Sequence, residues 1–460
     1  MKSGSSDKIV QVGVGEHTPH TLASAYVDPQ AHVEALGFVD VSEERLEAVA
    51  ATCRALNEVT GKRIVVETST ETAEVLPGAT MVILAYAVGY PQLVLETYAR
   101  ADKYGIPIGE AETLGIGGGL MGLRHLKVGM PIMDLVKQVC PEAWCVVSTN
   151  PIRHMTDYAN RYAGIRKSMG LCHGTKATLR YIEKCLEMEY GALESIVVGA
   201  NHLIWYLKIW ERATGEDWYP KLAEILQERD LDGHMGRYLY SIFGLYPGNG
   251  PGHVPDGFGF FTKRLWEKYT VHRCVTTKNY DPFLEYTKKG TTAGSIHVEA
   301  DKAAEGNKRW VGYLRAVRDG GMEAAELLGI LQENLDEDPV DQILTTLHRP
   351  DTMYYTEALN LPNGSAVPNL PADAILEIPG VANRTGAYPL ALGAIPEAIA
   401  ELVSRQVVIQ KLQVDAAATG SKQALLQSVL LDPLVHDLDA GVAFVEEEIA
   451  AHPEVYPEMR

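Results

Sequence analysis

The chain has 460 residues, 46% of them hydrophobic and 22% charged, a globular composition too long for one small core that excludes general disorder. A net charge of −19 repels phosphate backbones and anionic bilayers, which argues against nucleic-acid and membrane partners. Six scattered cysteines point to reduced thiols in a cytoplasmic protein, and neither a signal peptide nor a bilayer-length apolar run is visible.

The first third alternates strand-like and helix-like patterns. Lys8 to Gly13 (KIVQVG) reads as a strand, and residues 18–36 as a helix. Gly37 to Val41 is a second strand, followed by a helix from Ser42 to Glu58 with a serine cap and acidic first turn. Arg63–Glu67, Met81–Tyr86 and Trp144–Ser148 complete a set of βαβ units. Beyond about residue 195 the texture turns to helices, such as Trp218–Glu228, Asn307–Arg318, Ile395–Val414 and Ser421–Leu431. A Gly/Pro-rich segment, residues 244–259, interrupts them. The expected fold class is α/β: a Rossmann domain over residues 1–190, a doubly wound parallel sheet, and a second domain over 191–460.

Four motifs carry chemistry. Gly13-Val14-Gly15 follows strand one, where glycine lets a pyrophosphate approach backbone amides, and Asp40 ends strand two, where a carboxylate can bind the ribose of NAD. The third glycine of the usual fingerprint is missing. Glu110 to Arg124 is a glycine-rich loop entering a helix, with Glu112 and Arg124 as its notable polar groups. Ser148-Thr149-Asn150-Pro151 sits at the carboxyl end of strand five, where Asn150 can reach both cofactor and substrate; a plain Asn-Pro turn explains it equally. Gly170-Leu171-Cys172-His173-Gly174 and Gly199-Ala200-Asn201-His202 offer a thiolate and an imidazole that could share one divalent ion, although a buried core cysteine and a hydrogen-bonded histidine are commoner.

Together these segments resemble glycoside hydrolase family four, the NAD- and manganese-dependent glycosidases, or a close relative such as the sulfoquinovosidases. KIVQVGVG, FVDVSEERL, ETLGIGGGLMGLR, CPEAWCVVSTNP, MGLCHG and VGANHLIW carry the likeness in the first half. NLPADAILEIP, PLALGAIP and ALLQSVLLDP carry it in the second. The resemblance implies a lactate/malate dehydrogenase-like second domain, a homodimer or homotetramer, and Cys172 and His202 as metal ligands. It implies Glu112, Asn150, Asn201 and His253 near a sugar. The implied mechanism oxidises C3 with NAD, removes the acidified C2 proton, eliminates the C1 substituent, adds water and returns the hydride.

By the same likeness His173 is the candidate acid, with Asp256, Tyr246 and His253 as candidate bases. Phe243–Phe261 departs from the family, with Gly-Asn-Gly-Pro and Asp256-Gly257 where galactosidase-like members carry Thr-Glu-Ser-Ser and Glu-Tyr. This departure, with Arg153 and His154 just after Asn150-Pro151 and Lys208 just after the His202 segment, suggests an anionic glycoside: uronic, phospho- or sulfo-. Two competing readings are a plain NAD-dependent dehydrogenase of a hydroxy acid or polyol, which would accumulate NADH, and a sugar- or NADH-sensing protein, which would release no aglycone.

Overall fold

The computed structural model describes residues 7–28, 31–106, 108, 112–228, 235–248, 257, 309–333, 343, 347 and 353–460. β1 (Asp7–Val12) is buried throughout and pairs in parallel with β2 (Val33–Val39) on one side and β4 (Met81–Leu84) on the other. β3 (Val65–Ser69), β5 (Trp144–Val147) and β6 (Ser168–Gly170) extend the sheet in parallel. The resulting order, 3-2-1-4-5-6, is that of a doubly wound dinucleotide fold. The central strands β1, β4 and β5 are buried along their whole length, as predicted for Met81–Leu84, whereas edge strand β3 is partly exposed.

The second half differs from its helical texture. Six further strands continue the same sheet: β7 (Leu193–Ala200), β8 (Leu203–Glu211), β9 (Tyr246–Pro247), β10 (Tyr354–Pro362), β11 (Ile375–Asn383) and β12 (Gly386–Pro389). Their alternation of buried and exposed positions is short-range, so long helices nearby dominate a windowed reading. The first helix, α1 (Thr18–Tyr26), is also shorter than predicted. Val33 to Leu36 leave the helical register because they pair with Asp7 to Ile9 of β1, a tertiary partner that local propensity does not contain. The serine-capped helix α2 (Glu43–Thr60) forms as read, with the Arg45 amide donating to Ser42 Oγ.

The glycine-rich segment is helix rather than loop from Gly115 onward, within α5 (Gly115–Val139). Close packing explains its composition. A Cβ on Gly119 would lie 2.1 Å from the Gln413 amide, and one on Gly122 would lie 2.9 Å from the His154 ring. The glycines therefore let α5 approach α6 (Ile152–Arg161) and the C-terminal helix Glu397–Thr419 at backbone distance.

Arg124 on α5 belongs to this structural framework and not to a ligand pocket. It is 1% exposed and donates to Tyr456 Oη (2.7 Å), Thr97 Oγ1 and Glu448 Oε1 (3.3 Å each). Glu448, fully buried on helix Leu438–Ala451, also accepts from Arg100 at 2.5 Å. Removing one partner of such a cluster strands a buried charge. Glu448→Ala is expected to cost about 3–5 kcal/mol, measured as a lower urea midpoint, with the NAD-site residues untouched.

Candidate functional site

One row of the sheet register organises the site. Val39, Val12, Leu84, Val147 and Gly170 pair in line across β2, β1, β4, β5 and β6. Asn360, Glu377 and Gly199 continue the row across β10, β11 and β7. In the parallel half, the motifs other than the glycine-rich segment begin just past this row. Asp40 follows Val39, Gly13 follows Val12, Ser148 to Asn150 follow Val147, and Cys172 lies two residues beyond Gly170. The Asn201-His202 turn joins β7 to β8 directly after Ala200. This is the carboxyl edge of the sheet, where ligands bind in open α/β folds.

At the β1 end Gly13 has φ +97, and a Cβ there would lie 2.4 Å from the Ala85 carbonyl oxygen. The Asp40 carboxylate is 8% exposed and accepts from the Val14 amide (2.7 Å) and the Ser42 amide (2.9 Å). The Gly15 amide donates to Thr18 Oγ1 at 2.9 Å. The Val14 and Gly15 amides thus brace the loop from within, a role different from the direct phosphate contact expected from sequence. The cradle itself is bare backbone at a helix start, with a pre-oriented carboxylate beside it. Those features fit the pyrophosphate and ribose of a dinucleotide.

The β4 and β5 loops are fastened together by contacts that sequence reading missed. Thr149 Oγ1 accepts from the Tyr86 amide and donates to the Tyr86 carbonyl. His125 Nε2 accepts from the Val88 amide at 2.8 Å, so its Nδ1 carries the proton and donates to the Asn150 carbonyl. Burial holds the His125 imidazole near a pKa of about 3, with Arg124 adding to the depression. His154, likewise buried and bonded to Gln413 (2.8 Å), is held at about 3. No spacing rule marks either histidine, because their partners are main-chain and remote side-chain atoms.

Both imidazoles are depressed from an ordinary 6.5, so each favours the native state fully above that value. That stability is lost as pH falls from 6.5 toward 3, where the unfolded chain takes up protons and the native chain does not. The thermal midpoint of the NAD-free protein is expected to fall steeply over this window. In His154→Gln the slope of midpoint against pH should be shallower; an unchanged slope would remove His154 from the account.

Asn150 and Glu112, both expected near a sugar, are brought together: Asn150 Nδ2 donates to Glu112 Oε2 at 3.2 Å. Asn150 Oδ1 is buried without a hydrogen-bond partner among the described residues, an acceptor free for a ligand hydroxyl. Cys172 (8% exposed) and His202 (4% exposed) face each other, with Sγ and Nε2 3.8 Å apart. That gap is shorter than a metal–thiolate plus a metal–imidazole distance, about 4.4 Å in total, so one ion could touch both. His202 sits at φ +68, a left-handed conformation that a histidine adopts only at a cost. Among the described residues no group of three or more His, Cys, Asp or Glu forms a ready-made cage, so substrate or water oxygens would complete the coordination. His173, next to Cys172, is exposed at the start of α7 (Gly174–Cys185).

Other sequence candidates fare differently. Arg153 is 1% exposed and donates to the carbonyls of Gln406 and Thr113, both at 3.1 Å. Its guanidinium is thereby occupied in helix packing, which corrects its assignment to an anionic substrate; His154 is corrected for the same reason. Lys208 is exposed on β8. Tyr246 is buried in an apolar cluster with Ile204, Tyr206, Leu222 and Ala358, surroundings that suit packing better than proton abstraction. His253 and Asp256 lie outside the described residues.

Comparison with known proteins bears on the family and the fold. The family model described as "Family 4 glycosyl hydrolase" matches residues 8–188, and "Family 4 glycosyl hydrolase C-terminal domain" matches 197–435. The chain is 25% identical to an alpha-galactosidase of Bacillus subtilis (strain 168), over 98% of this chain and 100% of that one. It is similar to the structure of a 6-phospho-alpha-glucosidase from gut microorganisms in complex with NAD and Mn2+. That match has a TM-score of 0.77 and 21% identity, and covers 99% of this chain and 100% of the other. It is similar also to a 6-phospho-beta glucosidase from Thermotoga maritima with manganese, NAD+ and glucose-6-phosphate. Here the TM-score is 0.75 and the identity 20%, covering 98% and 100%. A doubly wound parallel sheet and two matching models that together span most of the sequence lead to one assignment: the chain belongs to family 4 of the glycosyl hydrolases.

Proposed function

We propose that this chain is an NAD- and manganese-dependent glycosidase that breaks its bond by transient oxidation at C3 and elimination across C2 and C1. The observation that carries the reading is the shared register row. It sets the Gly13/Asp40 cradle and the Cys172/His202 pair on one sheet edge, three strands apart between Gly13 and Cys172. When bound, NAD would supply a reversible hydride acceptor for C3, and a divalent ion a Lewis acid for the C2 and C3 oxygens. Cys172 and His202 would hold the ion and Asp40 the ribose. Asn150 Oδ1 and the Glu112 carboxylate would accept from sugar hydroxyls and so orient the ring. His173 is exposed beside Cys172, where it can hand a proton to the leaving-group oxygen.

An anionic sugar remains the second reading. Its support is now the 6-phospho specificity in the names of the two similar structures, since Arg153 and His154 are occupied elsewhere. One experiment addresses both readings: neutral, 6-phospho- and uronic aryl glycosides assayed with NAD and Mn2+ in D2O. Aglycone release with far less NAD than product, and deuterium at C2, is the expected result. One NADH accumulated per turnover would instead identify a dehydrogenase, and protium retained at C2 would exclude elimination.

We further propose that the protein works as a homodimer or homotetramer, with Leu430, Leu431 and Leu438 as exposed apolar side chains available to the contact. Light scattering on the eluted protein tests this, and a monomer at micromolar concentration would refute it.

A further inference from the structure

Two segments carry the candidate metal ligands, and they are 30 residues apart in the chain. A third segment lies between them. Glu377 on β11 is fully buried, and its two carboxylate oxygens reach in different directions. Oε1 accepts from Thr175 Oγ1 at 2.8 Å, three residues after Cys172 and in the first turn of α7. Oε2 accepts from Asn201 Nδ2 at 2.6 Å, one residue before His202. The backbone repeats the arrangement: Glu377 pairs with Gly199 of β7 and with Asn360 of β10, which in turn pairs with Gly170 of β6. Among the described residues these single pairings, Asn360 with Gly170 and Glu377 with Gly199, are the register contacts joining β10 and β11 to the two ligand-bearing strands. A carboxyl group is costly to bury unless it is hydrogen-bonded, and Glu377 meets that cost with bonds to the two segments that carry the ligands.

We propose that Glu377 is the positioning residue of the metal centre, a carboxylate strut that sets the separation of Cys172 and His202. The inference rests on the metal reading given above. Residues that orient ligands from behind are worth about 10–100-fold in metal affinity. The strut acts through Thr175 and Asn201, each a neighbour in sequence of one ligand. Its loss should therefore loosen the pair while leaving the nucleotide cradle as it was.

Mn2+ binding to the purified full chain, read from the free-ion electron paramagnetic resonance signal without substrate, tests this. Glu377→Met keeps the length of the side chain and removes both ties; its Mn2+ Kd is expected to rise about 10–100-fold with the NAD Kd changed less than about twofold. Glu377→Gln can keep both ties once the Asn201 amide turns over, and is expected to recover most of the affinity. Thr175→Val breaks only the first tie, serves if the Met variant does not fold, and should weaken Mn2+ binding by a smaller factor. Wild-type affinity in folded Glu377→Met, or in Thr175→Val where Met does not fold, would overturn the strut. Equal losses in the Met and Gln variants would also overturn it, because charge and not geometry would then be at work. A wild-type chain that binds no Mn2+ at all would instead refute the metal reading beneath it.

Discussion

Cys172→Ser and His202→Ala are each expected to lower kcat by at least about 10³-fold with Mn2+ present, while NAD binding stays within about twofold of wild type. A Lewis acid on developing enolate charge contributes several kcal/mol, and each 1.36 kcal/mol is about tenfold in rate. The cofactor end is insulated by distance, since three strand spacings of ~4.8 Å separate β1 from β6. The measurements are steady-state turnover at saturating Mn2+ and an NAD titration on the same preparations. Full activity in either variant would dismantle the assignment of the pair. His202 allows a second check that needs no activity. At φ +68 an alanine retains the backbone penalty and a glycine does not. In metal-free buffer His202→Gly should accordingly be more stable than His202→Ala by about 1 kcal/mol. The reverse order would mean that the turn is not strained, and the case for a functional histidine there would weaken.

The parallel half of the fold was open to sequence reading because its central strands are buried on both faces and so advertise themselves as unbroken apolar runs. Met81–Leu84 and Trp144–Val147 are the plainest cases. The C-terminal strands were not, for an equally physical reason. β10 and β11 meet β6 and β7 through single register pairs, and nothing local to residues 354–383 encodes which strand lies alongside. The site divides in the same way. Gly13, Asp40, Asn150, Cys172 and His202 could be named as candidates from sequence because each lies just past the end of a strand-like run. His125 and Glu377 are not, since their importance lies in partners 25 to 202 residues away. Arg153 shows the converse error. A cation close in sequence to Asn150 invites an anionic ligand, yet the helix it starts turns its side chain into the packing against Gln406.

Gly13→Ala is expected to weaken NAD binding by about 100-fold or more, and to do so for a reason separable from backbone strain. An alanine at φ +97 bears the left-handed penalty, about 1–2 kcal/mol. Its Cβ must also displace the carbonyl oxygen of Ala85 at 2.4 Å, its carbon at 2.8 Å and the Cα of Tyr86 at 2.9 Å. All three are backbone atoms at the end of β4, so no side chain can swing aside. Such overpacking costs a further ~1–3 kcal/mol unless β1 and β4 part, and parting them opens the cradle. A loss near 3 kcal/mol corresponds to about 100-fold in Kd. Gly78 is the control: its φ is +81, but a Cβ there meets nothing within 4 Å. Gly78→Ala should therefore show the strain alone, as a modest fall in thermal midpoint with NAD affinity unchanged. Calorimetric titration of both variants separates the two contributions. If Gly13→Ala binds NAD as Gly78→Ala does, the nucleotide does not lie over the β1 turn, and the cofactor site must be sought elsewhere on the sheet.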